Sequence, residues 1–330
     1  MTCTYRWTLL RAGEFRLDGG SMFGLIPRTV WSKAVPTDDR GRITVQHNCL
    51  LLERTQDAPP GAFAPKLILI EAGTGDKLDD RSRDIFAMQP RSILDALHEV
   101  DCRPEDIGAV AVSHLHFDHA GGLTRLARPG EKPDWTGQAS CFSGSRGDHP
   151  VKLTFPNAPI FVQAREWDDA RANRSVMTRT YFPDHLEPIA SHIRAIDSPR
   201  PFFPGLTPDR DQLPLVSLDL RLSAIAPGVH ALLTPGHTWG QQALLFTDHL
   251  GRTIVFTPDV LPTAAHNGAA YSLAYDVEPY TSMVTRHWLL SEAADRGWCL
   301  LLDHEPGHPL RRVVRNAKGW FDLPEEPLPG

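Results

Sequence analysis

Short apolar runs separated by polar turns recur along the chain and predict alternating strands and helices. Eight runs have the length and the aliphatic content of buried strands. They cover Thr44–Leu52, Lys66–Glu71, Ala109–Ser113, Ile160–Gln163, Val229–Thr234, Gln242–Phe246, Thr253–Thr257 and Cys299–Leu302. Helical spacing predicts helices over Ser92–Glu99, Arg165–Arg171 and Ser282–Arg296, the last after a Ser/Thr cap residue and with Arg286 on its solvated face. Strands that alternate with helices indicate an α/β fold.

Two long segments interrupt these elements. Residues 128–159 and 197–214 are rich in Pro, Gly and Asp and carry no clear periodicity. Loops of this length inside a compact domain are uncommon unless they serve as insertions or lids. We therefore expect a single domain over residues 1–330 with two loop insertions.

Composition narrows the class of protein. The 330 residues are 41% hydrophobic, and 34 Lys and Arg against 40 Asp and Glu give a net charge of −6. An acidic chain without a Lys/Arg run disfavours nucleic acid as a partner, and no apolar run approaches the roughly 20 residues that span a bilayer. Residues 1–16 alternate polar and apolar positions, unlike a secretory signal, so we expect a cytoplasmic protein. Five cysteines without a Cys-x-x-Cys pair predict reduced thiols.

Metal-binding side chains are concentrated directly after the strand Ala109–Ser113. His114, His116, Asp118 and His119 fall within six residues, and two glycines follow them. Alternate residues of an extended segment share a face, so the first two histidines can reach one ion while the turn directs the next two side chains to a neighbouring ion. Imidazole and carboxylate ligands suit borderline divalent metals, and zinc is the default prediction.

Three more ligand candidates lie downstream. His237, Asp259 and His304 each follow a predicted strand closely. Loops at strand ends are where a rigid scaffold presents functional groups. We therefore expect these side chains to join the histidine cluster.

The complete pattern resembles the metallo-β-lactamase superfamily, whose signature is His-x-His-x-Asp-His followed by a distant His, Asp and His. The resemblance covers nearly the whole chain and implies a four-layer αββα sandwich of two mixed sheets with flanking helices. It implies two divalent metal ions, the first bound by His114, His116 and His237, the second by Asp118, His119 and His304, with Asp259 bridging them. The family's Asp-x-Gly turn after an early strand is replaced here by Glu71-Ala72-Gly73.

Further stretches are similar to the quorum-quenching lactonase branch, which opens N-acyl-homoserine lactones. They are residues 18–27, the strand containing Asn48, residues 258–263 and the pair Tyr275-Asp276. Some lactonases carry an assisting tyrosine three residues after the bridging aspartate, where this chain has Pro262. The sequence leaves open whether Tyr271 or Tyr275 replaces it.

Three residues are candidates for substrate contact. Met22 and Phe23 belong to an apolar cluster, too short and interrupted for a helix, that we interpret as a cavity wall beside the metals. His266 follows the bridging aspartate by seven residues in a loop that should border the site.

The resemblance implies a dinuclear hydrolase in which a hydroxide shared by the ions attacks a lactone carbonyl, while Asp118 passes a proton to the leaving alkoxide. The same hydroxide can attack an organophosphate triester or an aryl ester, and the ligands do not separate these substrates. A metal-binding protein without catalysis is the remaining alternative, which the retention of all seven ligands disfavours. The acyl-chain preference, the physiological metal and a homodimeric state stay open.

Overall fold

The computed structural model describes residues 3–140, 147–177, 179–202, 216–268 and 270–329. Its first six-stranded sheet has the order β1-β2-β3-β4-β8-β9. These strands are β1 (Tyr5–Asp18), β2 (Arg42–Arg54), β3 (Leu67–Ile70), β4 (Ala109–Ala111), β8 (Ile160–Gln163) and β9 (Ile193–Ile196). The first three strands pair antiparallel and the later ones parallel, so the sheet is mixed.

The second six-stranded sheet has the order β10-β11-β12-β13-β14-β15. Its strands are β10 (Leu222–Ala226), β11 (Val229–Leu233), β12 (Gln242–Thr247), β13 (Thr253–Thr257), β14 (Cys299–Leu302) and β15 (Leu310–Arg312). Only the pairing of β13 with β14 is parallel within this sheet. Both six-stranded sheets are therefore mixed, as predicted.

Alternation along the strands creates the layers. On β2, Leu50 and Leu52 pack into the core between the two sheets, whereas Cys49 and Leu51 pack on the outer face of the first sheet. Successive side chains of a strand point to opposite faces, so one apolar strand supplies both layers. Helices α4 (Ile93–His98) and α6 (Ala164–Arg171) cover that outer face, and α9 (Pro279–Arg296) covers the second sheet. The result is the predicted αββα sandwich.

Short elements complete the described part of the chain. The remaining helices are α1 (Gly19–Phe23), α2 (Arg28–Trp31), α3 (Asp80–Ile85), α5 (Phe117–Ala120), α7 (Pro183–Leu186) and α8 (Leu218–Arg221). A three-stranded sheet combines β5 (Thr124–Leu126), β6 (Trp135–Gln138) and β7 (Asp148–Leu153), and β16 (Val314–Arg315) pairs with β17 (Phe321–Asp322). Across the described ranges, none of the helices combines the length and the apolar character that crossing a bilayer requires.

All eight predicted strands are present, but several expectations need correction. The alternating N-terminal segment forms β1, a strand of 14 residues that the sequence analysis did not assign. Helix α9 begins at Pro279, before the predicted Ser282, and its Arg286 is buried, not solvated, donating to the Val260 carbonyl. Residues 128–159 include β6 and β7 and are not a structureless loop, whereas most of 197–214 lies outside the described residues.

Candidate metal centre

The histidine-rich loop between β4 and the start of β5 is held by its two glycines. A Cβ atom added to Gly121 would overlap the Thr74 carbonyl oxygen, and one added to Gly122 would overlap that of Ala72. Without side chains here, the Gly122 amide donates to the Gly73 carbonyl at 2.8 Å. Close backbone contact therefore fixes the one-turn helix α5, which carries two of the candidate ligands, against the loop after β3.

The predicted ligands converge on Asp259, at the end of β13. Its Oδ2 lies 3.0 Å from His237 Nε2 and 3.6 Å from both His114 Nε2 and His119 Nε2. Its Oδ1 lies 3.3 Å from His304 Nε2. One carboxylate thus faces four imidazoles from four different loops, as a bridging ligand must.

The first group of side chains comprises His114, His116, His237 and Asp259, and their ligand atoms lie within 4.8 Å of one another. The Nδ1 atom of His116 lies 3.0 Å from Nε2 of His237. Two unprotonated nitrogens at this distance repel unless a cation or a proton lies between them. This donor set fits a divalent ion.

The second group comprises His119, Asp259, Asp303 and His304, again with ligand atoms within 4.8 Å. The Nε2 atoms of His114, His119 and His304 are buried and have no regular hydrogen bond to the described residues. Buried polar atoms are normally paired, so inward-facing orphans of this kind indicate a missing ion. The residues present therefore fit a two-metal centre.

The two carboxylates near His304 differ in position. Asp118, predicted as a ligand, lies at the cavity with Oδ2 3.7 Å from His304 Nε2 and Oδ1 3.9 Å from His119 Nε2. Asp303, which the sequence analysis did not single out, lies in the buried group instead. Asp303 directly precedes His304 on the chain, and that adjacency was the available signal.

Hydrogen bonds from the opposite ring nitrogens orient the histidines. Nδ1 of His119 lies 3.2 Å from Glu71 Oε2, and Nδ1 of His237 lies 2.9 Å from Asp276 Oδ1. Such outer contacts fix the ring tautomer and raise the basicity of the ligand nitrogen. Glu71, at a left-handed φ of 67°, thus reaches His119 from the turn in which the family has aspartate.

Charges around the site divide the histidines into two sets. Burial, reinforced by neighbouring imidazoles, holds the pKa of His114 and of His116 well below its ordinary value. For His237 burial also opposes the charge, but Asp259 and Asp276 raise its pKa to about 10. Asp303 and Asp259 outweigh burial in the same way and raise the pKa of His304 to about 9. In the metal-free chain these last two rings are therefore protonated at neutral pH.

Glu166 on α6 ties the ligand loops together. Its fully buried carboxylate accepts hydrogen bonds from the Leu115 amide at 2.9 Å, the Thr238 hydroxyl at 2.5 Å and the Tyr181 hydroxyl at 3.0 Å. Leu115 lies between two candidate ligands, and Thr238 directly follows His237. Sequence periodicity alone gave no sign of this contact, because its partners are distant along the chain.

A mainly apolar cavity gives access to the ligands. It encloses about 100 Å³ and is bordered by His116, Asp118, His237 and Asp259 on its metal side. Its opposite wall is formed largely by Leu17, Met22, Phe86, Phe117, Leu273 and Tyr275, with Thr180 and Arg179 at the same opening. The cavity therefore combines hydrolytic groups with space for an apolar substituent.

The three predicted substrate contacts lie at different depths. Met22 lines the cavity, whereas Phe23 and His266 are not among the lining residues. Phe23 is buried, with its ring stacked 5.0 Å from that of Trp31 and 4.5 Å from that of His266. His266 Nε2 lies 2.9 Å from the Met22 carbonyl. The geometry thus places Phe23 and His266 behind Met22, as its support.

This apolar cluster includes a helical turn that the sequence analysis had excluded. Residues 19–23 form α1, whose first turn is closed by Asp18 accepting from the Ser21 amide at 2.7 Å. Of the two candidate tyrosines, Tyr275 lines the cavity and Tyr271 is absent from its described lining.

Comparison with known proteins agrees with the predicted resemblance. A profile of the Metallo-beta-lactamase superfamily matches residues 45–304. N-acyl homoserine lactonase AiiA from Bacillus thuringiensis subsp. kurstaki is 25% identical over 167 residues, which are 51% of this chain and 44% of that protein. An N-acyl homoserine lactonase from a Bacillus species matches at the same identity and coverage. The chain thus aligns with less than half the length of these curated relatives.

Solved structures share the fold over nearly the whole chain. A probable metal-dependent hydrolase from Staphylococcus aureus superposes with a TM-score of 0.73 at 21% identity, covering 99% of this chain and 100% of that one. AidC, a dizinc quorum-quenching lactonase in complex with a homoserine product, gives 0.66 at 17% identity, covering 100% and 99%. The hydrolase AbOPH gives 0.66 at 16% identity with the same coverage. At these identities the likeness shows the fold.

Proposed function

Because this chain belongs to the metallo-β-lactamase superfamily, we propose that it is a metal-dependent hydrolase that opens a lactone ring of the N-acyl-homoserine type. The observation that carries the proposal is one cavity in which Asp118 and Asp259 face an apolar wall. A polar ring to be cleaved and an apolar chain to be held match the two sides of this cavity.

The metal centre would be held by the two groups of residues around Asp259. The first comprises His114, His116 and His237, and the second comprises His119 and His304 with Asp118 or Asp303. When bound, divalent ions at these positions would supply Lewis acidity that makes water nucleophilic at neutral pH and polarises the lactone carbonyl. Zinc is the metal we propose, since nitrogen and carboxylate ligands suit it.

The chain's own groups would handle the proton. Asp118 is 8% exposed at the cavity floor and can accept a proton from the attacking water at its carboxylate oxygen. It can then donate that proton to the alkoxide that leaves when the ring opens. The wall formed by Leu17, Met22 and Leu273 would hold the acyl chain and exclude water from the reacting ring.

A substrate panel tests the proposal. We expect zinc-reconstituted protein to hydrolyse N-acyl-homoserine lactones with a higher kcat/KM than a paraoxon-type triester, an aryl ester or a β-lactam. A higher kcat/KM for the triester or the aryl ester would select the alternative hydrolase function. Protein that retains no metal after zinc reconstitution and dialysis would contradict both. The cytoplasmic location and the homodimer stay predictions from the sequence.

A further inference from the structure

Asp303 is a buried carboxylate for which the metal-ligand pattern has no role. It lies directly after β14, is 2% exposed, and neither of its oxygens has a hydrogen-bond partner in the described ranges. A carboxylate removed from water is unfavourable unless a donor or a cation compensates it. Something absent from the polypeptide must therefore satisfy this group.

Its position indicates what that is. Asp303 Oδ2 lies 3.8 Å from His304 Nε2, and the ligand atoms of His119, Asp259, Asp303 and His304 are all within 4.8 Å of one another. Ligands of one zinc ion, each about 2.0–2.2 Å from the metal, lie roughly 3–4.4 Å apart. The unpaired Nε2 atoms of His119 and His304 face the same space. A single ion there would satisfy the carboxylate and both imidazoles.

Asp118 approaches this space from the opposite side. Its nearest carboxylate oxygens are 3.7 Å from His304 Nε2 and 3.9 Å from His119 Nε2, but it does not belong to the compact group of four. It lines the substrate cavity, whereas Asp303 does not. The two aspartates thus flank His304, one towards substrate and one towards the core.

We propose that Asp303 is a ligand of the second metal ion, bound from the buried side, and that Asp118 is thereby left available for proton transfer at the cavity. The inference rests on the dinuclear centre of the proposed function. With Asp303 and Asp259 as anionic ligands and two imidazoles, the second site would have a complete four-ligand set without Asp118.

Metal binding by the Asp303→Asn and Asp118→Asn variants tests this assignment. We expect wild-type protein reconstituted with zinc to hold about two ions per chain, Asp118→Asn to hold about two, and Asp303→Asn to hold about one. In competition with a chromophoric chelator, Asp303→Asn should weaken the second zinc at least tenfold. Cobalt reconstitution should show the loss as a decrease in the visible d–d absorption of one site.

Thermal unfolding provides a readout independent of activity. We expect Asp303→Asn to leave the Tm of metal-free protein unchanged or higher, because it removes a buried charge, and to reduce the rise in Tm that zinc produces. Equal losses of Tm with and without zinc would overturn the assignment. So would two tightly bound ions in Asp303→Asn together with loss of one in Asp118→Asn.

A crystal structure of the zinc-loaded wild-type protein decides the matter even if the variant does not fold. A carboxylate oxygen of Asp303 within about 2.2 Å of the second ion supports the assignment. A separation above 3 Å overturns it while leaving the proposed function intact. Wild-type protein that binds no zinc contradicts the proposed function itself.

Discussion

At the scale of single residues, Asp118 separates metal binding from proton transfer. We expect Asp118→Ala to lower kcat per bound metal pair by about 10²- to 10⁴-fold, the usual contribution of a positioned acid or base. Metal content and kcat are measured on the same zinc-reconstituted sample. Full turnover per metal pair would show that Asp118 has no role in proton transfer. As a contrast, Asp259→Asn should weaken both ions, because a neutral amide bridges poorly.

Glu166 supports the ligand loops without binding metal. Its carboxylate accepts from Leu115, Thr238 and Tyr181, and the glutamine amide can accept through one oxygen only. We expect Glu166→Gln to weaken zinc binding about 10- to 100-fold, as outer contacts of metal ligands do. The affinity is measured by chelator competition.

The same helix provides a matched control. Asp169 is equally buried, but it accepts from Arg165 and Arg174 and not from the ligand loops. Asp169→Asn should lower Tm and leave zinc affinity unchanged. Equal zinc affinities for both variants would mean that Glu166 only stabilises the fold.

At the scale of elements, local sequence patterns predicted the strands that carry the site. β4, β13 and β14 are short apolar runs, and the ligands follow them directly, so periodicity and chemistry agree. β1 was missed because its mixed polar and apolar residues were weighed only against a secretory signal. The contacts of Glu166 and the orientation of Asp303 depend on the packing of distant loops, which one sequence does not encode locally.

Helix α1 offers a test of the apolar wall. Met22 lines the cavity and Phe23 lies behind it, so the two variants should behave differently. Met22→Ala should lower kcat/KM more for a long-chain than for a short-chain lactone, since each methylene that loses its contact is worth about 0.8 kcal/mol. Phe23→Ala should lower stability by about 3–5 kcal/mol and affect both chain lengths alike. The reverse pattern would make Phe23 the contact residue.

At the scale of the whole molecule, the sandwich assembles one site from both sheets. The loop after β4 belongs to the first sheet, whereas Asp259 and His304 follow strands of the second. The apolar core between the sheets, including Leu50 and Phe256, therefore fixes the distance between ligands that are far apart in sequence. A sequence can predict which residues converge, but their separations depend on this packing.

That convergence concentrates protons as well as ligands. In the metal-free chain the pKa of His237 is about 10 and that of His304 about 9, so both carry a proton at pH 7 that a metal must displace. Zinc binding should release about two protons per chain at pH 7 and fewer as pH rises through 9 and 10. Zinc affinity should correspondingly increase with pH over this window, by up to about tenfold per pH unit for each displaced proton.

Titration of zinc into weakly buffered protein with a pH indicator measures this release directly. Asp276→Asn removes one of the two carboxylates that hold the proton on His237, so it should reduce the number released at pH 7. The sign follows from the direction of the shifts: a histidine whose pKa lies above the solution pH must lose its proton before its nitrogen can bind metal. Zinc binding without proton release at pH 7 would show that both rings are neutral in the metal-free protein and that the surrounding carboxylates do not control them.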